Sequence, residues 1–201
     1  MSNNNMSNNV RQPTDAEVDS WWNFALKFQK GPNSAFNIGI GPEFPKVTDS
    51  FQPQNLYCLT CTAGNGGKDP ERRTLDKSST ANRDIFVPVF VSIGENENIA
   101  DACLGTPQII FEIEENSGQV DRPTAFRLDK SDITVSVPQN NEFDIPQEGK
   151  TQQVVTRNYC AVIPKDKIAN IKSITFGGSG GRTSAQNPGN FVTEVTYEIK
   201  E

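Results

Sequence analysis

The chain has 201 residues, and Lys+Arg 19 against Asp+Glu 25 leaves a formal charge of −6 at neutral pH, which argues against a sequence-independent grip on nucleic acid or an anionic membrane. It contains no histidine, so Ser-His-Asp and Cys-His catalysis, an imidazole pH switch and nearly all catalytic zinc chemistry are excluded. With 15 Ile and 14 Val against 6 Leu and 2 Met, the core is expected to be built from strands, because β-branched side chains fit a pleated surface better than a helix.

Residues 1–12 form an Asn/Ser tail with five Asn in the first ten positions. So polar a tract buries too little apolar surface to order itself, and neighbouring subunits are the expected support. The opening has neither the basic start nor the apolar stretch of a secretory signal, and no later stretch approaches about 18 uninterrupted apolar residues. Cytoplasmic synthesis is therefore expected, with incorporation into a particle left open.

Pro13, Thr14 as N-cap, Asp15 in the first turn and Glu17 at the capping-box spacing predict a helix start. Gly31-Pro32 should end it. At about 100° per residue, Val18, Trp21, Trp22, Phe24, Ala25, Leu26 and Phe28 spread over roughly 200°, about twice the ordinary apolar stripe. Either the helix lies in a groove, or Trp21 or Trp22 anchors a subunit contact, as aromatics do at interface hot spots. Residues 31–55 follow with four Pro and three Gly, and Phe36, Ile38 and Ile40 alternate as in an edge strand. Such a segment suits an extended arm on a neighbour or a lid over the protein's own core. The candidate interaction residues are thus Trp21, Trp22, Phe24, Phe28, Phe36, Ile38 and Ile40.

From residue 56 onward short strands alternate with turn residues. They are expected at Leu56–Thr62, Asp84–Ile93, Gln108–Glu114, Ala125–Leu128, Ile133–Val137, Gln153–Ile163, Ser173–Phe176 and Phe191–Ile199. The second is apolar on both faces and should be central and buried, with a bulge at Pro88, which cannot donate to a ladder. The fold class is all-β: an antiparallel sandwich or jelly roll of seven or eight strands with one N-terminal amphipathic helix. Three regions follow: a tail over 1–12, helix and arm over 13–55, and a sandwich domain over 56–201.

Motifs that could carry chemistry are few. Cys58-Leu59-Thr60-Cys61 is a CxxC, but Cys103 and Cys160 stand too far off to complete a structural zinc pattern, and no helix follows to activate a thiolate. Buried thiols are the expectation, with one disulfide left open. Gly64–Lys68 and Gly177–Thr183 are glycine-rich, yet neither fits G-x-x-x-x-G-K-[ST]; both read as loops. Acidic clusters at Glu95, Glu97 and Asp101 and at Glu112, Glu114, Glu115 and Asp121 could supply oxygen ligands to calcium, but the EF-hand pattern is absent and solvated faces are expected. No catalytic, cofactor-binding or metal-ligating residue is assigned.

Trp21-Trp22-Asn23-Phe24-Ala25-Leu26, followed by Cys61, Arg72-Arg73-Thr74 and Ile85-Phe86-Val87-Pro88-Val89-Phe90, resembles a loose group of uncharacterised small proteins, mostly secreted and prokaryotic. They similarly open with a Trp-Trp-x-aromatic-Ala segment and carry a central Phe-Pro strand. The resemblance covers residues 21–93 and implies no activity and no site; with no secretory signal read at its start, the chain is expected to depart from the group in that respect.

Together these features point to a non-enzymatic structural or interaction subunit of a larger assembly, such as a virion, phage-like particle, filament or surface layer. Its partners would be further copies or other subunits, with no cofactor, nucleic acid or membrane. The alternative is a monomeric ligand- or carbohydrate-binding sandwich that presents Tyr or Trp to a sugar.

Overall fold

Asp84–Gly94, apolar on both faces, has to be covered from two sides, and it sits both between two strands and between two layers. A computed structural model describes residues 10–26, 52–61, 71–113, 124–139, 141–147, 150–179 and 192–201. Among them, ten strands form two facing sheets. In the first sheet β1 (Leu56–Cys58), β3 (Asp84–Gly94) and β8 (Lys150–Ile163) lie side by side, and β8 also pairs with β7 (Glu142–Gln147) and β6 (Val135–Ser136). The second sheet runs β2 (Glu71–Asp76), β10 (Val192–Lys200), β9 (Ile171–Ser179), β4 (Thr106–Ile113), β5 (Thr124–Leu128). One N-terminal helix, α1 (Asp15–Leu26), and a short α2 (Glu97–Cys103) complete the described secondary structure apart from 3-10 turns. The all-β sandwich with an N-terminal helix expected from the sequence is present.

Two strands, β2 and β7, and α2 were not foreseen. Glu71-Arg72-Arg73-Thr74-Leu75-Asp76 offers too little apolar alternation to declare a strand, and Pro146 argues against one in β7. Two pairings also depart from the antiparallel expectation: β1 runs parallel to β3, and β2 parallel to β10. The chain places β1, β2 and β3 alternately in the first, second and first sheets, so β1 and β3 return to one layer with the same direction. Hydrophobic alternation marks which face is buried and carries no information on strand direction.

The inner faces meet in one core. Ile85, Val87, Tyr159, Ala161 and Ile163 from the first sheet pack with Ile109, Phe111, Ile174, Phe176, Val195 and Tyr197 from the second. The bulge expected at Pro88 is there: the register between β3 and β8 slips between Pro88 and Phe90, and Val89 and Phe90 both reach the inner core. Phe90 lies against Gly178 of the opposite sheet, where an added Cβ would collide with the Phe90 ring and stand 2.7 Å from the Thr106 carbonyl oxygen. The two layers approach closely there because Gly178 has no side chain. α2 is fastened by Ser92, whose hydroxyl donates to the Ala100 carbonyl at 2.6 Å, and a Cβ at Gly94 would come within 2.5 Å of the Ala100 nitrogen. No helix among the described residues is long and apolar enough to cross a membrane.

Candidate functional site

A strand whose outward residues are apolar needs a cover. Leu56, Cys58, Phe86, Cys160 and Val162 make the outer face of the first sheet apolar, and α1 lies on it. Val18, Trp21, Trp22, Phe24 and Ala25 are each no more than 3% exposed. The Trp21 ring stacks on Phe86 at 6.0 Å between centroids and meets Trp22 edge-on at 5.1 Å. Its indole Nε1 donates to the Leu59 carbonyl at 2.8 Å, which turns an apolar anchor into an oriented one.

The predicted capping box is formed. Glu17 N–H donates to Thr14 Oγ1 at 3.3 Å, and Glu17 Oε2 accepts from Thr14 N–H at 2.8 Å. Arg11 adds a clamp that the motif alone does not reveal. Its guanidinium donates to both Glu17 oxygens, at 2.8 and 2.6 Å, and to Asp84 Oδ2 at 2.8 Å, while its backbone exchanges two 2.9 Å hydrogen bonds with Val162. The Arg11 hydrogen bond holds the Glu17 carboxyl below the usual carboxylate range, and the same contact raises Arg11. Farther along α1, Asp19 Oδ1 accepts from Gln139 N–H at 2.9 Å.

These contacts correct the idea that Trp21, Trp22 and Phe24 offer a free surface to a partner, because all three are spent inside their own chain. The wide apolar arc is explained by a groove. Phe28, Phe36, Ile38 and Ile40 lie outside the described residues, as do residues 1–9. Residues 10–12 do not need a neighbouring subunit to hold them, since Arg11 is fixed on β3, β8 and α1.

The chain re-enters the described structure at Gln52. Its side-chain amide stands in for a strand partner: Oε1 accepts from Cys58 N–H at 2.7 Å and Nε2 donates to the Cys58 carbonyl at 3.1 Å. At Cys58 the outer edge of β1 is thereby occupied, which takes one residue's backbone groups away from stray strand pairing.

Beyond β1 the chain crosses to the second sheet through a buried polar knot. Arg73 Nη1 donates to the Thr60 carbonyl at 2.9 Å, to Thr60 Oγ1 at 2.5 Å and to the Tyr197 hydroxyl at 2.9 Å. Thr60 N–H also donates to Tyr197 at 3.2 Å, and the guanidinium carbon lies 5.5 Å from the Tyr197 ring centroid. The knot ties the two layers along the β1 and β2 margin. A buried guanidinium demands such partners.

The thiols behave as buried groups. All four cysteines are free, Cys61 partly exposed and the other three buried; burial pushes Cys58 and Cys160 upward and Cys61 up to about 11, which favours the protonated thiol at these three positions. No metal-holding cluster of three Cys, Asp or Glu occurs among the described residues. Glu97 and Asp101 approach Arg157 at 3.3 and 2.8 Å, making this acidic cluster the counter-charge of a guanidinium that is only 11% exposed. Glu112 accepts from Ser173 at 2.8 Å. Glu114, Glu115, Asp121, residues 64–68 and residues 180–183 lie outside the described structure, whereas Gly177–Ser179, expected as loop, end strand β9 and pair with both β10 and β4.

The carbohydrate alternative counted on a presented Tyr or Trp. Trp21, Trp22, Tyr57, Tyr159 and Tyr197 are all buried, none more than 5% exposed, and they are the chain's whole complement of both residue types. Sequence reasoning missed Arg11, Gln52 and Arg73. Only Arg11 left a trace, as a cation just ahead of a capping-box glutamate. Comparison with protein-family models, with curated proteins and with solved structures found no match.

Proposed function

We propose that this chain is a non-enzymatic interaction subunit of a larger assembly of the particle, filament or surface-layer kind, a β-sandwich body that joins to further copies or other subunits. The observation that carries the reading is the way residues 10–26 and Gln52 are fixed. Arg11, Trp21 and Asp19 pin one end of the intervening 27–51 segment to the first sheet, and the Gln52 amide pins the other to β1. A rigid scaffold that holds both feet of a long Pro/Gly-rich segment bearing Phe28, Phe36, Ile38 and Ile40 is the usual arrangement for a binding element. The interaction residues are then these four, and α1 serves as the foundation.

Light scattering coupled to size exclusion tests the reading on the full chain. Above micromolar concentration the mass should exceed 22.1 kDa. Combined Phe36→Ser, Ile38→Ser and Ile40→Ser should return it to the monomer without moving the melting temperature. A wild-type chain that stays monomeric up to millimolar concentration overturns the proposal.

A further inference from the structure

We infer that an open cleft at one end of the first sheet binds a small hydroxylated oxyanion, of the sugar phosphate or sugar acid class, with Arg83 as the charge that receives it. The inference is independent of the assembly reading above and rests on different residues.

The cleft follows from strand direction. Because β1 and β3 run parallel with Leu56 opposite Asp84, the segments that enter them, Gln54-Asn55 and Asn82-Arg83, arrive side by side. Asn82 holds a left-handed φ of 63°, a conformation that Asn tolerates better than most side chains. It turns the chain out of the 3-10 turn Lys77–Thr80 and into β3. The result is a cleft of about 600 Å³ whose polar lining is Gln54, Asn55, Ser78, Ser79, Asn82 and Arg83, a volume that suits a small ligand. No carboxylate among the described residues lines it.

Charge marks out what the cleft takes. Arg83 is half-buried. Its guanidinium carbon lies 4.9 Å from the Tyr57 ring centroid, and it donates to the Ser79 carbonyl and, at 3.5 Å, to the Pro53 carbonyl. Arg11, Lys77 and Arg157 are partly buried too, and they meet carboxylates at 2.6, 2.6 and 2.8 Å. Among the described residues Arg83 meets none. The carboxylate next to it in the chain, Asp84, accepts instead from Arg11 at 2.8 Å and from Lys165 N–H at 3.0 Å. A cation drawn partly out of water without a counter-ion is costly, and a guanidinium has more N–H donors than these carbonyls use. The ring and the carbonyls hold the group still, so an arriving oxyanion meets a planar donor already oriented for phosphate or carboxylate. Around it, the side chains of Gln54, Asn55, Ser78, Ser79 and Asn82 make no hydrogen bond among the described residues. Their amides and hydroxyls offer donors and acceptors together, which matches ligand hydroxyls and does not call for an exposed aromatic ring.

The test is an NMR titration of the 15N-labelled full chain with glucose 6-phosphate, glucuronate, glucose and inorganic phosphate. The amides of residues 54–55 and 78–83 should shift together and saturate with glucose 6-phosphate or glucuronate, the tighter of the two naming the oxyanion. Glucose should bind roughly tenfold more weakly or not at all, and rising salt should weaken the charged ligand. Asn82→Asp keeps a residue that tolerates the left-handed turn and gives Arg83 a carboxylate inside the cleft. Affinity should then fall roughly tenfold or more with no drop in melting temperature. Arg83→Gln should show the same loss; where it also unfolds the chain, the Asn82→Asp result decides. Shifts that stay linear with all the probes into the tens of millimolar overturn the inference, as does saturable binding that Asn82→Asp leaves unchanged. Inorganic phosphate that moves only scattered surface lysines marks an adventitious ion only and counts against the site. Glucose bound as tightly as its phosphate overturns the role of Arg83, and inorganic phosphate bound as tightly as glucose 6-phosphate overturns that of the amides and hydroxyls.

Discussion

On the outer side of the first sheet, Phe86, Cys160 and Val162 have no exposed surface and lie beneath α1. On the outer side of the second, side chains pair with one another. Arg72 bonds Glu198 at 3.0 Å, Thr175 meets Thr196 at 2.9 Å, Gln108 donates to Glu194 at 3.2 Å, and Arg127 donates to Gln108 at 2.9 Å. The outward positions carry the contrast: β8 points Cys160 and Val162 outward where β10 points Thr196 and Glu198. An apolar outer face binds the sandwich to a helix and makes that helix indispensable, whereas a polar outer face completes itself in place. The N-terminal helix is therefore part of the fold's core.

The sharpest way to break this contrast is Trp21→Ala. It removes the stack on Phe86 and the Nε1 bond to Leu59, and large-to-small changes of a buried Trp cost about 3–5 kcal/mol. Urea unfolding of the full chain should show a loss of that size. A loss below about 1 kcal/mol would mean that the first sheet does not depend on its cover.

Legibility of the sequence followed the same division. The helix start was readable because Thr14 and Glu17 act on each other over three residues, and the buried centre was readable because Asp84–Gly94 is apolar at nearly every position. Pro88 announced its bulge for a reason confined to one residue, the missing N–H. By contrast, β2 was hidden because Arg73 occupies an inward position that an alternation rule reserves for apolar side chains, and it is tolerated there only through Thr60 and Tyr197, the latter more than a hundred residues away in the chain. Parallel pairing was hidden for the same reason: it is fixed by which layer the chain crosses to. At the candidate site, the breadth of the apolar arc on α1 was legible. What fills it was not, since the seat is assembled from β1, β3 and β8.

The knot that hid β2 gives the next effect in size. Tyr197→Phe deletes the hydroxyl that accepts from Arg73 and from Thr60 N–H and leaves buried donors short of an acceptor, a change that costs about 1–3 kcal/mol. Chemical denaturation should place it below Trp21→Ala and above any change on the outer face of the second sheet; a neutral result would show that the two layers are held at this margin by apolar packing alone.

A smaller effect belongs to the pin on the helix. The folded-state pKa of Glu17 is lowered, chiefly by its hydrogen bond from Arg11, so the contribution is fully present above the unfolded value of about 4.3 and disappears as the pH falls through the lower folded value. The side chains of Arg11 and Glu17 are 38% and 22% exposed, which keeps the amount to about 1 kcal/mol or less. Stability measured against pH should show a steeper fall below about pH 4 in the wild type than in Glu17→Gln. Parallel curves would remove the pin from the account of why α1 stays seated.

The smallest effect is expected where the second sheet faces outward. Arg72 and Glu198 are 71% and 45% exposed across their 3.0 Å contact, so the attraction acts in high dielectric against the entropy of two long side chains. A double-mutant cycle of Arg72→Ala and Glu198→Ala should yield a coupling below about 0.5 kcal/mol that shrinks further as salt shortens the screening length. The measurement bears on more than one pair. If the coupling is this small, the second sheet keeps its outer face through polarity as such, and any single pair can be replaced. A salt-resistant coupling above about 1 kcal/mol, beyond what exposed pairs provide, would instead mean that this face is an organised surface held in one geometry, and the contrast with the helix-covered side would be one of chemistry and not of need.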